Sequence, residues 1–277
     1  MSVLSSLELD KDSSIKKIAY FICFLTIATI LVKTFSDTLI MFRSTIGIVT
    51  TLMQIVSPFL MTVLIATGAI TSTGIIQPML LFLASLVSFI INYVVIPLIS
   101  ISVAFNIVNS LTDKIKLTRI SKLFSKTAMW TIGVSLTVFL GILSLESSIT
   151  ASVDSLAIKT TQTAVSNFVP VVGKFFSDSF ETVVGATKIV SRVGGAVGII
   201  AIVLVTVIPI IKIFSIMVVY NILSALAEPI CSETKITKAL DMFADTYKTL
   251  LGILIGVTIL FVISTGIILN LSTSIIK

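Results

Sequence analysis

Apolar residues occur along this chain in long, nearly unbroken runs that short polar stretches separate. Each run holds roughly 18 to 25 residues, which is enough for an α-helix to cross a hydrocarbon layer of about 30 Å. The pattern is typical of an all-α polytopic integral membrane protein. It predicts six clear transmembrane helices, which are residues 15–33, 46–66, 75–99, 127–145, 194–211 and 249–270.

Two of the apolar runs are longer than one crossing needs. Residues 75–108 and 194–227 stay mostly apolar, and either run would be about 51 Å long as one straight helix. Each contains a proline, Pro97 or Pro209, and a proline within a helix predicts a kink or a break. Lys212 follows the second proline, where freed carbonyls and a half-helix end can bind ions. The alternative is that its ammonium group reaches to the membrane surface.

The two long runs also resemble each other. The stretch "VIPLISI" at 95–101 matches "VIPIIKI" at 207–213 at five of seven positions, and the two lie 112 residues apart. We interpret this as a duplication of about 112 residues, with a chance match between apolar sequences as the alternative. The predicted organisation is a short polar lead in residues 1–14 and a first membrane repeat in residues 15–126. A second membrane repeat follows in residues 127–277 and includes an amphipathic segment at 163–190.

The amphipathic segment contains the sequence "NFVPVVGKFFSDSFETVVG" at 167–185, which is unusually charged for its surroundings. A helix that begins at Pro170 puts phenylalanine and valine side chains on one face and the charged residues on the other. Charges are tolerated inside a membrane where they face water, a polar seam or another subunit. The segment therefore predicts a lining helix of a pore or interface, built around Pro170, Gly173, Lys174, Asp178 and Glu181.

Two other positions for this segment remain open. It can be a re-entrant helix, or it can lie at the membrane surface with its phenylalanines among the lipid headgroups. If it crosses, the chain has seven spans and the repeats are inverted; if it does not, the chain has six. The basic loop 109–126 predicts a cytoplasmic position for that loop, and counting back three spans places the N-terminus outside.

Glycines spaced four residues apart mark two apolar helices. The pairs are Gly194 with Gly198 and Gly252 with Gly256. Small residues at this spacing allow the backbones of two membrane helices to approach closely. We therefore predict helix packing at both pairs, either within the chain or between chains.

Composition supports the membrane class and argues against most chemistry. Mean hydropathy is +1.17 and only 12% of residues are charged, so one core of this size cannot hide the apolar surface. The net charge of +6 comes from lysines and arginines spread between apolar runs, which does not suggest nucleic acid. Histidine is missing, the two cysteines lie far apart, and no nucleotide-binding or catalytic motif occurs. We expect no enzyme activity, cofactor or metal site.

The stretch 167–186 and three others together resemble the stage III sporulation protein AE family of endospore-forming bacteria. The others are "FNIVNSLTDKIKLTRISKLF" at 105–124, "VIPIIKI" at 207–213 and "LSALAEPI" at 223–230. The resemblance covers about residues 15–270. Family members usually begin with a signal peptide and an extracytoplasmic region, whereas this sequence has only the short lead "MSVLSSLELDKDSS".

The resemblance implies a multi-pass subunit of the secretion-like channel complex that connects the mother cell to the engulfed forespore. It would lie in the mother-cell membrane around the forespore and support forespore development after engulfment. Its implied partners are the other membrane proteins of the same sporulation operon and a forespore-side membrane protein, in a homo- or hetero-oligomer. Two alternatives stay open: a secondary transporter or permease of a small solute, and a non-conducting membrane scaffold.

Overall fold

A computed structural model of the chain describes residues 14–66, 70–111, 117–168, 172–229 and 235–274. Within these ranges the chain is helical and contains no strand, as the sequence predicts. The elements in chain order are α1 (Ser14–Ile65), α2 (Ile70–Ile90), a π-helical turn (Ile91–Val95), α3 (Ile96–Leu111), α4 (Thr118–Phe168), α5 (Val172–Ala227) and α6 (Lys235–Ser274).

The first helix differs from the prediction. Spans 15–33 and 46–66 both lie on α1, which is 52 residues and therefore about 78 Å long. The stretch between them, predicted to separate two spans, contains Asp37 and Arg43. Both of those side chains are exposed. The opposite side of the helix carries buried residues at helical spacing, namely Phe35, Thr38, Phe42, Ile46 and Val49. The amphipathic pattern thus continues through the stretch and keeps it helical.

Among the described residues, five helices are long and apolar enough to cross a membrane. They are Phe21–Ile65, Thr73–Ser110, Thr118–Glu146, Gly185–Ala227 and Lys235–Asn270. The predicted count of six or seven spans is therefore not confirmed, and the main reason is the merging of the first two spans into α1. The duplication is not confirmed either and stays a prediction.

The described residues of the segment 163–186 belong to two helices. Helix α4 continues beyond Glu146 to Phe168, and α5 begins at Val172, so the segment holds the end of one helix and the start of the next. Only its last two residues belong to one of the five apolar helices. The polar sequence between Glu146 and Gly185 thus lengthens α4 and α5 beyond what one crossing of about 30 Å requires.

Helices that follow each other along the chain are antiparallel. Between α3 and α4, Ser102 lies opposite Ser125 and the later Asn106 lies opposite the earlier Ser121. The connections between consecutive helices are short, which also favours antiparallel neighbours. Helices α1, α4 and α6 therefore run in one direction, whereas α5 and the stretch formed by α2, the π turn and α3 run in the other.

The chain forms two compact units, and α1, α4, α5 and α6 contribute residues to both. The first unit contains residues up to Thr45, Ile90–Ile132 and Val207–Ile255, and the second contains Ile46–Phe89, Gly133–Thr206 and the residues from Gly256 onward.

Aromatic side chains of α1, α5 and α6 form the core of the first unit. Tyr247 is fully buried, its ring lies edge-on to that of Tyr220 at 5.5 Å, and its hydroxyl lies 3.4 Å from that of Thr38. One turn earlier, the rings of Phe35 and Phe243 meet edge-to-face at 6.4 Å. Buried aromatic pairs in this geometry contribute about 0.5–1.5 kcal/mol beyond the area they bury.

The second unit has a mainly aliphatic core, to which the buried rings of Phe139 and Phe261 also belong. Its fully buried residues include Met53, Leu60, Leu64, Ile76 and Leu80, which come from α1 and α2. Helix α6 joins them through Thr265, whose hydroxyl lies 3.9 Å from the sulfur of Met53.

The five-helix arrangement predicts the sidedness of the two turns of the first unit. If each apolar helix crosses once, the turn after α3 and the turn after α5 lie on the same side of the bilayer. In a Cys23→Ser protein, Cys231 is the sole thiol, and it reports on the turn after α5. In a second protein with Cys23→Ser, Cys231→Ser and Lys114→Cys, the new thiol reports on the turn after α3. We expect an impermeant maleimide to label neither in intact cells and both after lysis.

This expectation differs from the inverted-repeat arrangement. Seven spans would place Cys231 opposite the basic turn, and the maleimide would then label it in intact cells while the Lys114→Cys variant stayed unlabelled. That outcome would contradict the five-helix topology.

Candidate functional site

The charged residues predicted to line a pore or interface lie at the start of α5. Pro170 lies outside the described residues. Gly173, Lys174, Asp178 and Glu181 belong to the first three turns of α5, where the backbone is helical and their side chains lie outside the described part. The spacing of four and three residues places the three charged positions along one side of this helix.

The first predicted helix break coincides with the π-helical turn. Pro97 has no N–H group, so it cannot donate the usual hydrogen bond to the carbonyl four residues earlier. The preceding turn, Ile91–Val95, is wider than an α-turn, and the N–H of Ile96 donates to the carbonyl of Ile91. The irregular backbone is therefore centred just before the proline, within the first unit.

At the second predicted helix break, Pro209, the backbone remains α-helical. Pro209 is buried inside α5, which remains α-helical from Val172 to Ala227. One turn earlier, the hydroxyl of Thr206 donates to the carbonyls of Ile202 and Val203 at 2.9 and 3.1 Å. The matched "VIP" stretches therefore have different backbone structures. Lys212, one turn later, is exposed.

Three glycines of α5 allow two other helices to approach it. A Cβ atom placed on Gly194 would lie 2.3 Å from the ring of Phe59, and one on Gly198 would lie 2.8 Å from Val56 of α1. The intervening Gly195, which the spacing argument missed, faces α6, where a Cβ would lie 2.2 Å from Leu269. Side chains at these positions would force the helices apart.

The other glycine pair faces α4. A Cβ on Gly252 would lie 3.4 Å from the terminal carbon of Met129 in the first unit. In the second unit, one on Gly256 would lie 3.0 Å from Leu136. Both contacts are looser than those of α5, and they involve flexible side chains. The spacing of Gly252 and Gly256 thus matches a helix contact within the chain.

A buried polar cluster, which no sequence motif indicates, joins α3 to α4. The hydroxyl of Ser102 lies 2.9 Å from that of Ser121 and 2.8 Å from that of Ser125. Ser121 also donates to the side-chain oxygen of Asn106. The four-residue spacing of these polar positions within apolar helices was visible in the sequence. Hydrogen bonds of this kind hold membrane helices together.

The described residues contain no group of three or more histidine, cysteine, aspartate or glutamate side chains that could hold a metal ion. What they offer is a set of close helix contacts, one irregular backbone turn and a row of charged positions. Such features position helices.

Comparison with known proteins connects this arrangement to a family. The sequence model of stage III sporulation protein AE matches residues 1–272. The chain belongs to the stage III sporulation protein AE family. It is 26% identical over 260 residues to stage III sporulation protein AE of Bacillus subtilis (strain 168), an alignment that covers 94% of this chain and 65% of that protein. No solved structure matches the chain.

The family match covers all five apolar helices and the polar ends of α4 and α5. The chain spans about two thirds of the length of the Bacillus subtilis protein. Membership in this family indicates a role in sporulation, and the helices indicate a membrane protein.

The glycine contacts of α5 lead to a stability prediction. Gly198→Ala should lower the free energy of unfolding by about 1–3 kcal/mol, because the β-branched Val56 cannot easily move aside. Gly47→Ala is a matched control, since a Cβ there meets no atom within 4 Å. It should be neutral or stabilising by up to about 1 kcal/mol. Denaturant unfolding of the purified protein in detergent measures both.

A compensating change sharpens the same test. Val56→Ala removes the atoms that the new methyl group meets, so adding it should restore part of the stability lost in Gly198→Ala. Equal stability of Gly198→Ala and Gly47→Ala would show that α1 and α5 are not in close contact here.

The polar cluster leads to a second prediction. Ser121→Ala removes the donor to Asn106 and should destabilise the protein by about 0.5–2 kcal/mol. Ser148→Ala, at an exposed serine that bonds only within α4 in the contacts described, is the control and should change stability little. Similar unfolding midpoints for the two variants would argue against a structural role for the cluster.

Proposed function

We propose that this chain is a membrane subunit of the sporulation channel complex that links the mother cell to the forespore. The observation that carries the proposal is the family match over residues 1–272, in a chain with five helices suited to a membrane. In this role the protein lies in the mother-cell membrane that surrounds the forespore. It supports forespore development after engulfment.

Exposed apolar side chains support a role in an assembly within a membrane. On α5, exposed fractions reach 73% at Ile208, 64% at Leu204 and 60% at Val197. Water does not favour such a surface, so lipid or other membrane helices cover it. The proposed partners are further copies of the chain, other membrane proteins of the same sporulation operon and a forespore-side membrane protein.

The polar ends of α4 and α5 are the proposed contact with these partners. They extend beyond the apolar helices and carry Lys174, Asp178 and Glu181 on one side of α5. Charged side chains at this position favour an aqueous path or a polar subunit interface over lipid. The segment from 163 to 186 thus joins the complex rather than crossing the bilayer as a separate span.

A secondary transporter of a small solute is the second candidate. The observation in its favour is the π-helical turn before Pro97, because irregular backbone within membrane helices often accompanies ion or substrate sites. Transport of a solute by the purified protein alone, reconstituted in vesicles, would support this candidate. Vesicles that stay inactive without partner proteins would favour the complex subunit.

The proposed contact predicts a sporulation defect. A variant with Lys174→Ala, Asp178→Ala and Glu181→Ala should reduce heat-resistant spores by at least about tenfold, because it removes the charges proposed to face partners. Lys238→Ala with Asp241→Ala, at exposed positions of α6, is the control and should sporulate normally. Spore counts and a late forespore reporter measure the effect, with immunoblots for protein level.

Normal spore counts and normal reporter activity in the triple variant would contradict a functional role for this segment. Loss of the protein from the membrane fraction would instead indicate a stability defect, and single substitutions at the three positions would then separate the two effects.

A further inference from the structure

Helices α3, α4 and α6 enclose a cleft of about 290 Å³ in the first unit. Its walls share a polar, mainly basic character. Ten of the twelve residues that line it have polar or charged side chains, among them the buried residues Asn106 and Ser121. No sequence motif pointed to it, because its residues come from three separate stretches of the chain.

Lysine dominates the charge of the cleft. Lys122 and Lys126 reach it from α4 and Lys248 from α6, whereas Asp245 is the acidic residue of its lining. The three lysines are exposed, so their ammonium groups are available as hydrogen-bond donors. Three positive charges against one negative charge favour an anion, and lysine is a common ligand for phosphate.

The inner wall of the cleft is held in place by hydrogen bonds. Ser121 is 2% exposed and donates to Asn106, which is 6% exposed. Ser102 lies behind them and bonds to Ser121 and Ser125. Because these bonds fix the polar side chains before any ligand arrives, little order is lost on binding.

Both walls change from charged to uncharged sequence at the cleft. Helix α4 has no charged residue between Lys126 and Glu146, and α6 has none between Lys248 and Lys277. The two helices run in the same direction, so their apolar parts begin at the same end. In a membrane protein this change from charged to apolar sequence occurs at the level of the lipid headgroups.

Two further observations agree with a position of the cleft at the level of the lipid headgroups. Met129 and Met242 line the cleft beside the lysines, so an apolar surface adjoins the basic one. Trp130 is the only tryptophan of the chain and is 74% exposed next to Met129. Tryptophan is enriched at membrane interfaces, where its ring meets the headgroups.

We propose that this cleft binds the phosphate headgroup of an anionic phospholipid. The lysines of α4 and α6 contact the phosphate oxygens, and the methionines contact the first carbons of the acyl chains. Basic pockets between membrane helices recognise anionic headgroups in this way. The inference does not depend on the channel role, since it rests only on the first unit.

Free phosphate or an acidic peptide would satisfy the lysines but would leave the methionines without a partner. A lipid satisfies both surfaces, and it is present at high local concentration where the helices enter the membrane. The experiment therefore uses phosphatidylglycerol as the probe, phosphatidylcholine as the neutral comparison and inorganic phosphate as the competitor.

Native mass spectrometry of the full chain in neutral detergent measures lipid binding directly. We expect phosphatidylglycerol to bind more tightly than phosphatidylcholine. The triple variant Lys122→Gln, Lys126→Gln and Lys248→Gln should weaken phosphatidylglycerol binding by at least about tenfold. Asp245→Asn should strengthen it by roughly threefold, because it removes the negative charge.

Lys238→Gln is the matched control, since Lys238 is an exposed lysine of α6 that is absent from the lining. It should bind phosphatidylglycerol like the unchanged protein. Lipid binding by the triple variant that equals the control would overturn the proposal. The proposal would also be overturned if the two lipids bound equally and millimolar inorganic phosphate displaced them. That result would indicate that the cleft binds a soluble anion. The Asp245→Asn result keeps the test valid if the triple variant fails to fold.

Trp130 gives an independent measurement of depth. In vesicles with brominated lipids, bromine near the headgroup end of the acyl chains should quench its fluorescence more than bromine near the chain ends. Stronger quenching from the chain ends would place the cleft too deep for a headgroup and would overturn the proposal.

Discussion

Backbone N–H and C=O groups that lie in lipid need hydrogen-bond partners within the protein, and no charged residue occurs between Arg43 and Asp113. In lipid an unsatisfied N–H or C=O group costs several kcal/mol, so the chain forms helices whose backbone bonds are internal. This constraint explains the extent of α1, α2 and α3. The same constraint accounts for the π turn before Pro97. Pro97 has no N–H group to donate, so the hydrogen bonds of the neighbouring backbone groups are rearranged.

Helix formation alone does not determine how the helices pack, because lipid covers an apolar helix as well as another helix does. The contacts that select partners are of three kinds. Glycines of α5 and α6 admit close approach, a serine–asparagine cluster joins α3 to α4, and an aromatic group around Tyr247 joins α1, α5 and α6. Together they define an alternating arrangement of five apolar helices.

The sequence predicts the helical class and the positions of most apolar helices, because hydrophobic runs of this length have few other structures. The sequence-based prediction fails where the local residue types indicate one structure and the tertiary packing favours another. Asp37 and Arg43 look like loop residues, yet the buried face around Phe42 continues through them. The two "VIP" stretches look equivalent, yet the local partners of Pro97 and Pro209 differ. Such differences depend on tertiary contacts that spacing does not reveal.

The candidate site was predictable to a similar degree. The glycine pairs that the spacing singled out lie opposite other helices, and which helices these are came only from the structure. The basic cleft was not predictable, because Lys126 and Lys248 are far apart in sequence and meet only through the parallel packing of α4 and α6. Family resemblance identified the sporulation role more directly than any single residue did.

The continuity of α1 tests the five-helix account most directly. Ile22 and Ile55 are both exposed, and they lie 33 residues apart (55 − 22) within this helix. Spin labels on Ile22→Cys and Ile55→Cys, in a protein with Cys23→Ser and Cys231→Ser, report their separation in lipid nanodiscs. One helix predicts about 50 Å. A separation of about 20 Å or less, as expected for two antiparallel spans with an interaxial distance of about 10 Å, would contradict the account.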